Sequence, residues 1–257
     1  MIDLTGRVAL VTGGSRGIGR ACALKLADAG ADVIINYVTS ESAAREVGDL
    51  ILARGSRAAV VKADVSEQDD VASMVEFVAE RFGRLDILVS NAATGGFRPL
   101  LSASPRNFEA AMKTNVMALL HLVQQSANLL ERTDEREGRG KVIALSSHGA
   151  NMALPLYGLI GGSKAALESI VRHLAMELGG KGINVNVVRA GLVETDSTRK
   201  IPYADQLFAG RQFRNMTGER YLTADDVANC VLFLASSLSD MVQGETLTVD
   251  SGVQVHA

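Results

Sequence analysis

The chain has 257 residues, 47% of them hydrophobic, which suits one large α/β domain, although length alone would also allow two small ones. Its 26 basic and 29 acidic residues leave a formal charge of -3, and no block of Lys and Arg supports a nucleic-acid or membrane-tail role. The N-terminus has no basic region leading into an apolar stretch and cleavage site, and no run of eighteen apolar residues occurs, so a cytoplasmic protein without a membrane span is expected.

In chain order, short β-branched runs alternate with helical patterns. RVALVTG is the first strand candidate and leads into a helix over 18–29. ADVIINY precedes a helix over 41–53, RAAVVKAD one over 67–82, and LDILVSN one over 105–130. GKVIALSS precedes a helix over 157–179, INVNVVRAG one over 224–236, and ETLTVDSG closes the series. Val, Ile and Leu are near-continuous in several strands, as when both sheet faces are covered. The pattern predicts a single doubly wound Rossmann-type α/β domain over 1–257, with a mainly parallel seven-stranded sheet and helices on both faces.

Between these elements, the charged ERTDEREGRG at 131–140 reads as a solvated helix end and turn. The irregular segment 195–222 follows the sixth strand, so it should lie over the carboxyl edge of the sheet as a substrate-binding lid. Cys22 and Cys230 fall in apolar helical patterns and read as small core hydrophobes. The four histidines show no metal-ligand spacing, so no metal is expected.

TGGSRGIG, Thr12 to Gly19, follows the first strand and opens the first helix. Glycines permit a tight turn and close backbone approach, and unpaired N–H groups at a helix start suit a pyrophosphate. The G-K-[S/T] ending of an ATPase loop is missing, so a dinucleotide is expected, with Gly13, Ser15, Arg16, Gly17, Ile18 and Gly19 as its contacts. The second strand ends in Asn36–Tyr37, where an NAD-selective site carries a carboxylate. Its absence, together with Arg16 as a partner for a 2′-phosphate, favours NADPH. Asp64–Val65 ends strand three, where the carboxylate could accept the adenine amino group or cap the following helix. Asn91, Ala92 and Ala93 end strand four and leave room for the adenosine ribose.

Ser146, Ser147 and His148 end strand five, and Tyr157 and Lys164 follow in LPLYGLIGGSKAAL. In a helix beginning near Tyr157, seven positions span about two turns, so both side chains share a face. A nearby ammonium would favour the phenolate. Lys164 contacts with a nicotinamide ribose would join it to the proton path. Gly161–Gly162 suits a close backbone or cofactor approach, or simply weakens the helix start. His148 reads either as a substrate contact or as a polar loop residue.

These features resemble the short-chain dehydrogenase/reductase superfamily over essentially the whole chain. The matching elements are TGGSRGIG, Asp64–Val65, NAA at 91–93, Asn115, the serines at 146–147, and Lys164 within SKAAL. AGLVETD resembles the family's P-G-x-x-x-T element, with Ala190 in place of proline but Gly191 and Thr195 kept. The resemblance implies cofactor contacts from Gly191, Val193 and Thr195, the last at the carboxamide end. The usual signature is Y-x-x-x-K with a serine thirteen residues before the tyrosine, which points to position 160, where this chain has Ile160.

The Y-x6-K spacing from Tyr157 is similar to that of the NADPH-dependent enoyl-acyl-carrier-protein reductases. That likeness implies hydride delivery to the β-carbon of a trans-2-enoyl thioester, in fatty-acid or polyketide biosynthesis. Tyr157 would bond the carbonyl as enolate charge develops, and Lys164 would hold the ribose. Asn115 would maintain a water or backbone arrangement near Lys164, or pack helices. The likeness also implies a homotetramer and an acyl carrier protein as substrate carrier, which Arg199, Lys200, Arg211, Arg214 and Arg220 could attract. Ser147 at the usual family position supports a rival, a 3-oxoacyl or polyketide ketoreductase or other carbonyl reductase. A specialised biosynthetic enone reductase is a further alternative. Ile160 is the best evidence for a non-catalytic dinucleotide-binding regulatory protein.

Overall fold

Seven parallel strands make one sheet in the order β3-β2-β1-β4-β5-β6-β7. They are β1 (Val8–Val11), β2 (Asp32–Tyr37), β3 (Ala58–Lys62), β4 (Ile87–Ser90), β5 (Gly140–Ser147), β6 (Ile183–Ala190) and β7 (Thr246–Val249). The computed structural model describes residues 2–132 and 138–255, so part of the turn expected at 131–140 lies outside the described residues.

Adjacent residues of β1 feed opposite layers, which explains the unbroken apolar run. Ala9 and Val11 pack with α1 (Gly17–Asp28), α2 (Glu41–Leu52) and α8 (Ala224–Ala235). Val8 and Leu10 pack with α3 (Gln68–Phe82), α5 (Ala118–Leu130) and α6 (Gly158–Leu178). Cys22 is buried and Cys230 half-buried, both as free thiols, and burial pushes the Cys22 thiol up to about 12.

The helix expected over 105–130 is interrupted. It consists of α4 (Pro105–Met112), a π turn over Lys113–Met117, and α5. Such a widened turn re-aims the side chains it carries, and here it carries Asn115. The expected helix at 157 starts one residue later, so Tyr157 precedes α6 with φ -102° and ψ 2°. Within 195–222 lie a short 3-10 turn at Thr198–Lys200 and α7 (Ala204–Phe213). No helix of the described residues is long and apolar enough to cross a membrane.

The strand order reverses between β1 and β4, both of which continue into loops at their carboxyl ends. A crevice therefore opens there, as in other doubly wound sheets. The opposite edge is fixed by charge. Asp86 accepts hydrogen bonds from Arg84, Arg132 and Arg7 and from the Val8 N–H. Burial pushes its carboxyl pKa up, but these donors outweigh burial and hold it below 3.8. The stability it contributes is therefore present above about pH 4 and lost as pH falls through the depressed folded value. Asp86→Asn is expected to cost about 3–5 kcal/mol at pH 7, because it leaves buried guanidinium charge unpaired. Chemical denaturation at pH 7 checks this, and a loss that shrinks as the pH falls below about 4 would agree with it.

Candidate active site

The glycine loop is shaped by backbone positions that resist a side chain. Gly13 and Gly17 have φ of 60° and 55°. A Cβ on Gly19 would lie 2.3 Å from the Gly13 carbonyl oxygen, so the helix packs directly on the loop. Asn91 clamps the loop by donating from Nδ2 to the carbonyls of Thr12 (2.9 Å) and Gly13 (3.2 Å). Thr12 Oγ1 in turn accepts from the N–H groups of Asn91 and Ala92.

A cleft of about 340 Å³ lies above this loop, lined among others by Ser15, Arg16, Ile18, Tyr37, Ala93 and Thr195. No side chain caps the start of α1, which leaves its first N–H groups as donors for an anion. The loop, the uncapped helix and the cleft together fit a dinucleotide. Arg16 is exposed and stands 4.0 Å from Asp196 across the cleft mouth.

Two of the expected cofactor contacts are hydrogen-bonded within the scaffold. Asn36 is buried, accepts from the Gly13 N–H (3.3 Å) and donates to the Ala63 carbonyl (2.9 Å), tying the glycine loop to β2 and β3. Asp64 accepts from Ser66 N–H and Oγ at 2.9 and 2.8 Å, a turn ahead of α3, whose N-cap Glu67 receives no side-chain cap bond. Neither Asp64 nor Val65 lines the cleft. Val193 is in the core, and Gly191 lines a separate apolar pocket described below.

The cleft continues into a space of about 390 Å³ lined by Tyr157, Lys164, Ile160, Phe97 and residues of the 195–222 segment. Tyr157 Oη donates to Ser147 Oγ at 3.1 Å. Phe97 stacks on the Tyr157 ring with centroids 6.0 Å apart. Lys164 Nζ donates to the Leu145 carbonyl at 2.7 Å. Burial brings the Lys164 ammonium down to about 8, against an upward pull from Glu168. The phenol of Tyr157 is shifted up by burial, which outweighs the downward effect of the Ser147 bond. This direction is opposite to the expected phenolate: burial raises the phenol, only the Ser147 bond works against it, and Tyr157 is a protonated donor at neutral pH. Ile160 fills the space facing the 93–97 loop, since a Cβ on Gly95 would come within 2.2 Å of its Cγ1.

Comparison with known proteins agrees with this arrangement. The family model described as Enoyl-(Acyl carrier protein) reductase matches residues 13–254. The chain belongs to the short-chain dehydrogenase/reductase superfamily. A short-chain dehydrogenase from Burkholderia cenocepacia, solved in complex with NADP, superposes with a TM-score of 0.88 at 36% identity, covering 98% of this chain and 99% of that one. The 1-cyclohexenylcarbonyl-CoA reductase of Streptomyces collinus is 34% identical over 98% of this chain and 88% of its own length. A hydroxynaphthalene reductase of Aspergillus fumigatus is 35% identical over 95% of this chain and 91% of its own.

Within this short-chain reductase, the polar side chains around Lys164 are tied into the scaffold. Asn115 makes its hydrogen bonds to Thr94 and Ser163. Its amide bonds both the N–H (2.8 Å) and the carbonyl (2.9 Å) of Thr94 and reaches Ser163 Oγ (2.8 Å), so the π turn pins the loop after β4 to α6. Ser146 donates to Glu168 at 2.6 Å, and Arg189 grips the same carboxylate with two nitrogens. This buried triad under Lys164 joins β5, β6 and α6. Only its serine stood out in the sequence, because Glu168 and Arg189 carry no motif.

His148 is buried with Nε2 2.8 Å from Asp250 Oδ2. It lines a narrow apolar pocket with Leu154, Leu192, Ile201, Leu207 and Arg211. In the 195–222 segment, Thr198 Oγ1 donates to the Val193 carbonyl and accepts from the Thr195 N–H, which anchors the segment's start. Arg199 pairs with Glu194 and Asp205, and Arg220 pairs with Asp226. Those two guanidiniums are neutralised within the chain rather than held out for an acidic carrier.

Proposed function

We propose that the chain is an NADPH-dependent reductase of ring-bearing conjugated carbonyl compounds in a biosynthetic route. Hydride goes to the β-carbon while Tyr157 holds the carbonyl oxygen, and the α-carbon then takes a proton from solvent as the enolate returns to the saturated carbonyl compound. The observation that carries this reading is the Tyr157–Ser147 pair, 3.1 Å apart, at the junction of the cleft and the apolar pocket. The glycine loop and the start of α1 would receive the pyrophosphate, Arg16 the 2′-phosphate, and Lys164 the nicotinamide ribose. Bound NADPH supplies the hydride. Tyr157, protonated and fixed by Ser147, donates to the oxygen as it gains negative charge, in a site partly closed to water. Residues 195–222 act as the lid.

Relatives whose names specify a cyclohexenyl carbonyl thioester and a hydroxynaphthalene support a ring in place of a linear carrier-bound chain. The internal pairing of Arg199 and Arg220 supports the same choice. A second reading, reduction of a ketone, fits the same serine and tyrosine pair, with Tyr157 passing its proton to an alkoxide; the ring-bearing relatives favour the conjugated substrate. NADPH oxidation should be followed in parallel with a cyclic enone, a linear enoyl thioester and a 3-oxoacyl thioester. The enone should be the fastest and give the saturated ketone. Turnover confined to the 3-oxoacyl thioester would move the reaction to C=O, and preference for the linear enoyl thioester would restore a carrier-linked substrate.

Arg16→Ala should raise the KM for NADPH roughly tenfold, the loss of one hydrogen-bonded charge pair, with little change for NADH. Equal effects on both cofactors would remove Arg16 from the phosphate site. Phe108 and Met117 on the α4–α5 rod and Met176 on α6 are exposed, which supports self-association through these helices. Light scattering on purified protein tests whether the assembly is a tetramer.

A further inference from the structure

The pocket behind Tyr157 has a volume of about 90 Å³. Benzene is held by an apolar cavity of about 150 Å³, so this pocket admits a substituent, while the ring that bears it lies in the wider cleft. Tyr157, Thr198 and Ile201 line both spaces, so the two are contiguous. Most of the wall is aliphatic. Of the polar side chains that interrupt it, two have a buried nitrogen without a hydrogen-bond partner: Nη1 of Arg211 and Nδ1 of His148. Buried polar groups left in this way are uncommon and need a reason.

The two nitrogens are not equivalent. A carboxylate only accepts, so the 2.8 Å contact with Asp250 puts the ring hydrogen of His148 on Nε2 and leaves Nδ1 as an acceptor. Burial holds the imidazole pKa below its usual value despite the attraction of Asp250, so the ring is neutral at pH 7. Asp250 is itself fixed by the N–H groups of Gly252 and Gln254. Arg211, by contrast, can only donate. A carboxylate in the pocket would suit Arg211 but face the histidine lone pair, and an ether would leave that lone pair unmet. A hydroxyl satisfies both, accepting from one and donating to the other.

We propose that this pocket recognises a hydroxyl group carried on the substrate's ring, with Arg211 as its donor and His148 Nδ1 as its acceptor. The site sets specificity and takes no part in hydride or proton transfer. The proposal rests on the reductase reading for the identity of the ligand as a substrate, but binding can be tested without turnover. The probes are the three dihydroxybenzenes, their monomethyl ethers and the three hydroxybenzoates, titrated calorimetrically into the protein saturated with NADP+.

At least one dihydroxybenzene should bind about tenfold tighter than its own ether and than the matching hydroxybenzoate, as expected for one satisfied pair of buried polar groups. In Arg211→Met the advantage should fall below about threefold, with the ether's affinity unchanged. Equal binding of diol and ether, preference for the benzoate, absence of binding, or an advantage that survives Arg211→Met would each overturn the proposal. The wild-type comparison decides the first three even if the variant folds poorly. Turnover separates this inference from the reading it rests on. A protein that selects the diol yet reduces no enone or ketone overturns the reductase reading alone, and one that reduces enones without preferring a ring hydroxyl overturns the pocket assignment alone.

Discussion

Tyr157→Phe is expected to lower turnover roughly a hundredfold to a thousandfold, the usual cost of deleting one donor to a developing oxyanion. NADPH affinity should change by less than about twofold, since the tyrosine hydroxyl bonds Ser147 rather than the glycine loop. The phenyl ring keeps its stack on Phe97, so loss of turnover cannot be assigned to collapse of that wall. Single-turnover kinetics with saturating NADPH would measure the chemical step directly. Turnover within about threefold of wild type would remove Tyr157 from the oxygen site. Ser147→Ala should cost less, because it frees the phenol without removing it.

Lys164→Met should abolish most turnover and yet make the protein more stable. The wild-type ammonium is 6% exposed and brought down to about 8 from 10.5, so folding disfavours its charge by about 3 kcal/mol at pH 7. Methionine has no such penalty but forfeits the hydrogen bond to Leu145, worth about 1 kcal/mol. The net gain is about 2 kcal/mol, or roughly 4–8 °C in Tm for a chain of this size. The sign with pH follows from which state binds more protons. Between about 8 and 10.5 the unfolded chain holds the proton that the folded chain has released, so wild-type stability rises with pH across that window. The advantage of the methionine variant should therefore be full below pH 8 and shrink toward pH 10. A variant less stable than wild type at pH 7 would show that Lys164 is held charged by stronger partners than Glu168 supplies.

A residue that costs stability at the base of a cleft is a sign that it is kept for chemistry. The buried triad of Ser146, Glu168 and Arg189 sits one helical turn beyond Lys164, and its carboxylate is what partly offsets the lysine's burial. The site is thus supported from below by residues distant from the glycine loop.

Local pattern was enough for the sheet, for the glycine loop and for the Tyr–Lys spacing. Near-continuous Val, Ile and Leu in β1 and β2 could satisfy no other arrangement than a sheet covered on both faces, and a glycine run between a strand and a helix has few geometric uses. What sequence could not supply was the partner of each polar side chain. Asn36 and Asp64 stand where a ligand contact is plausible and Asn115 where a helix could pack, but their partners Gly13, Ser66 and Ser163 are not written in the local pattern. The last pair is 48 residues apart, and His148 and Asp250 are 102 apart. The π turn that aims Asn115 has no signature in KTNVM.

Protonation was equally hidden. Y-x6-K spacing suggests a phenolate beside an ammonium, whereas burial raises the phenol and lowers the amine. Periodicity reports which face of an element is apolar, because that is a local property of the chain. Hydrogen-bond partners and pKa values depend on which distant segments exclude water from the same point, and only the packed structure decides that.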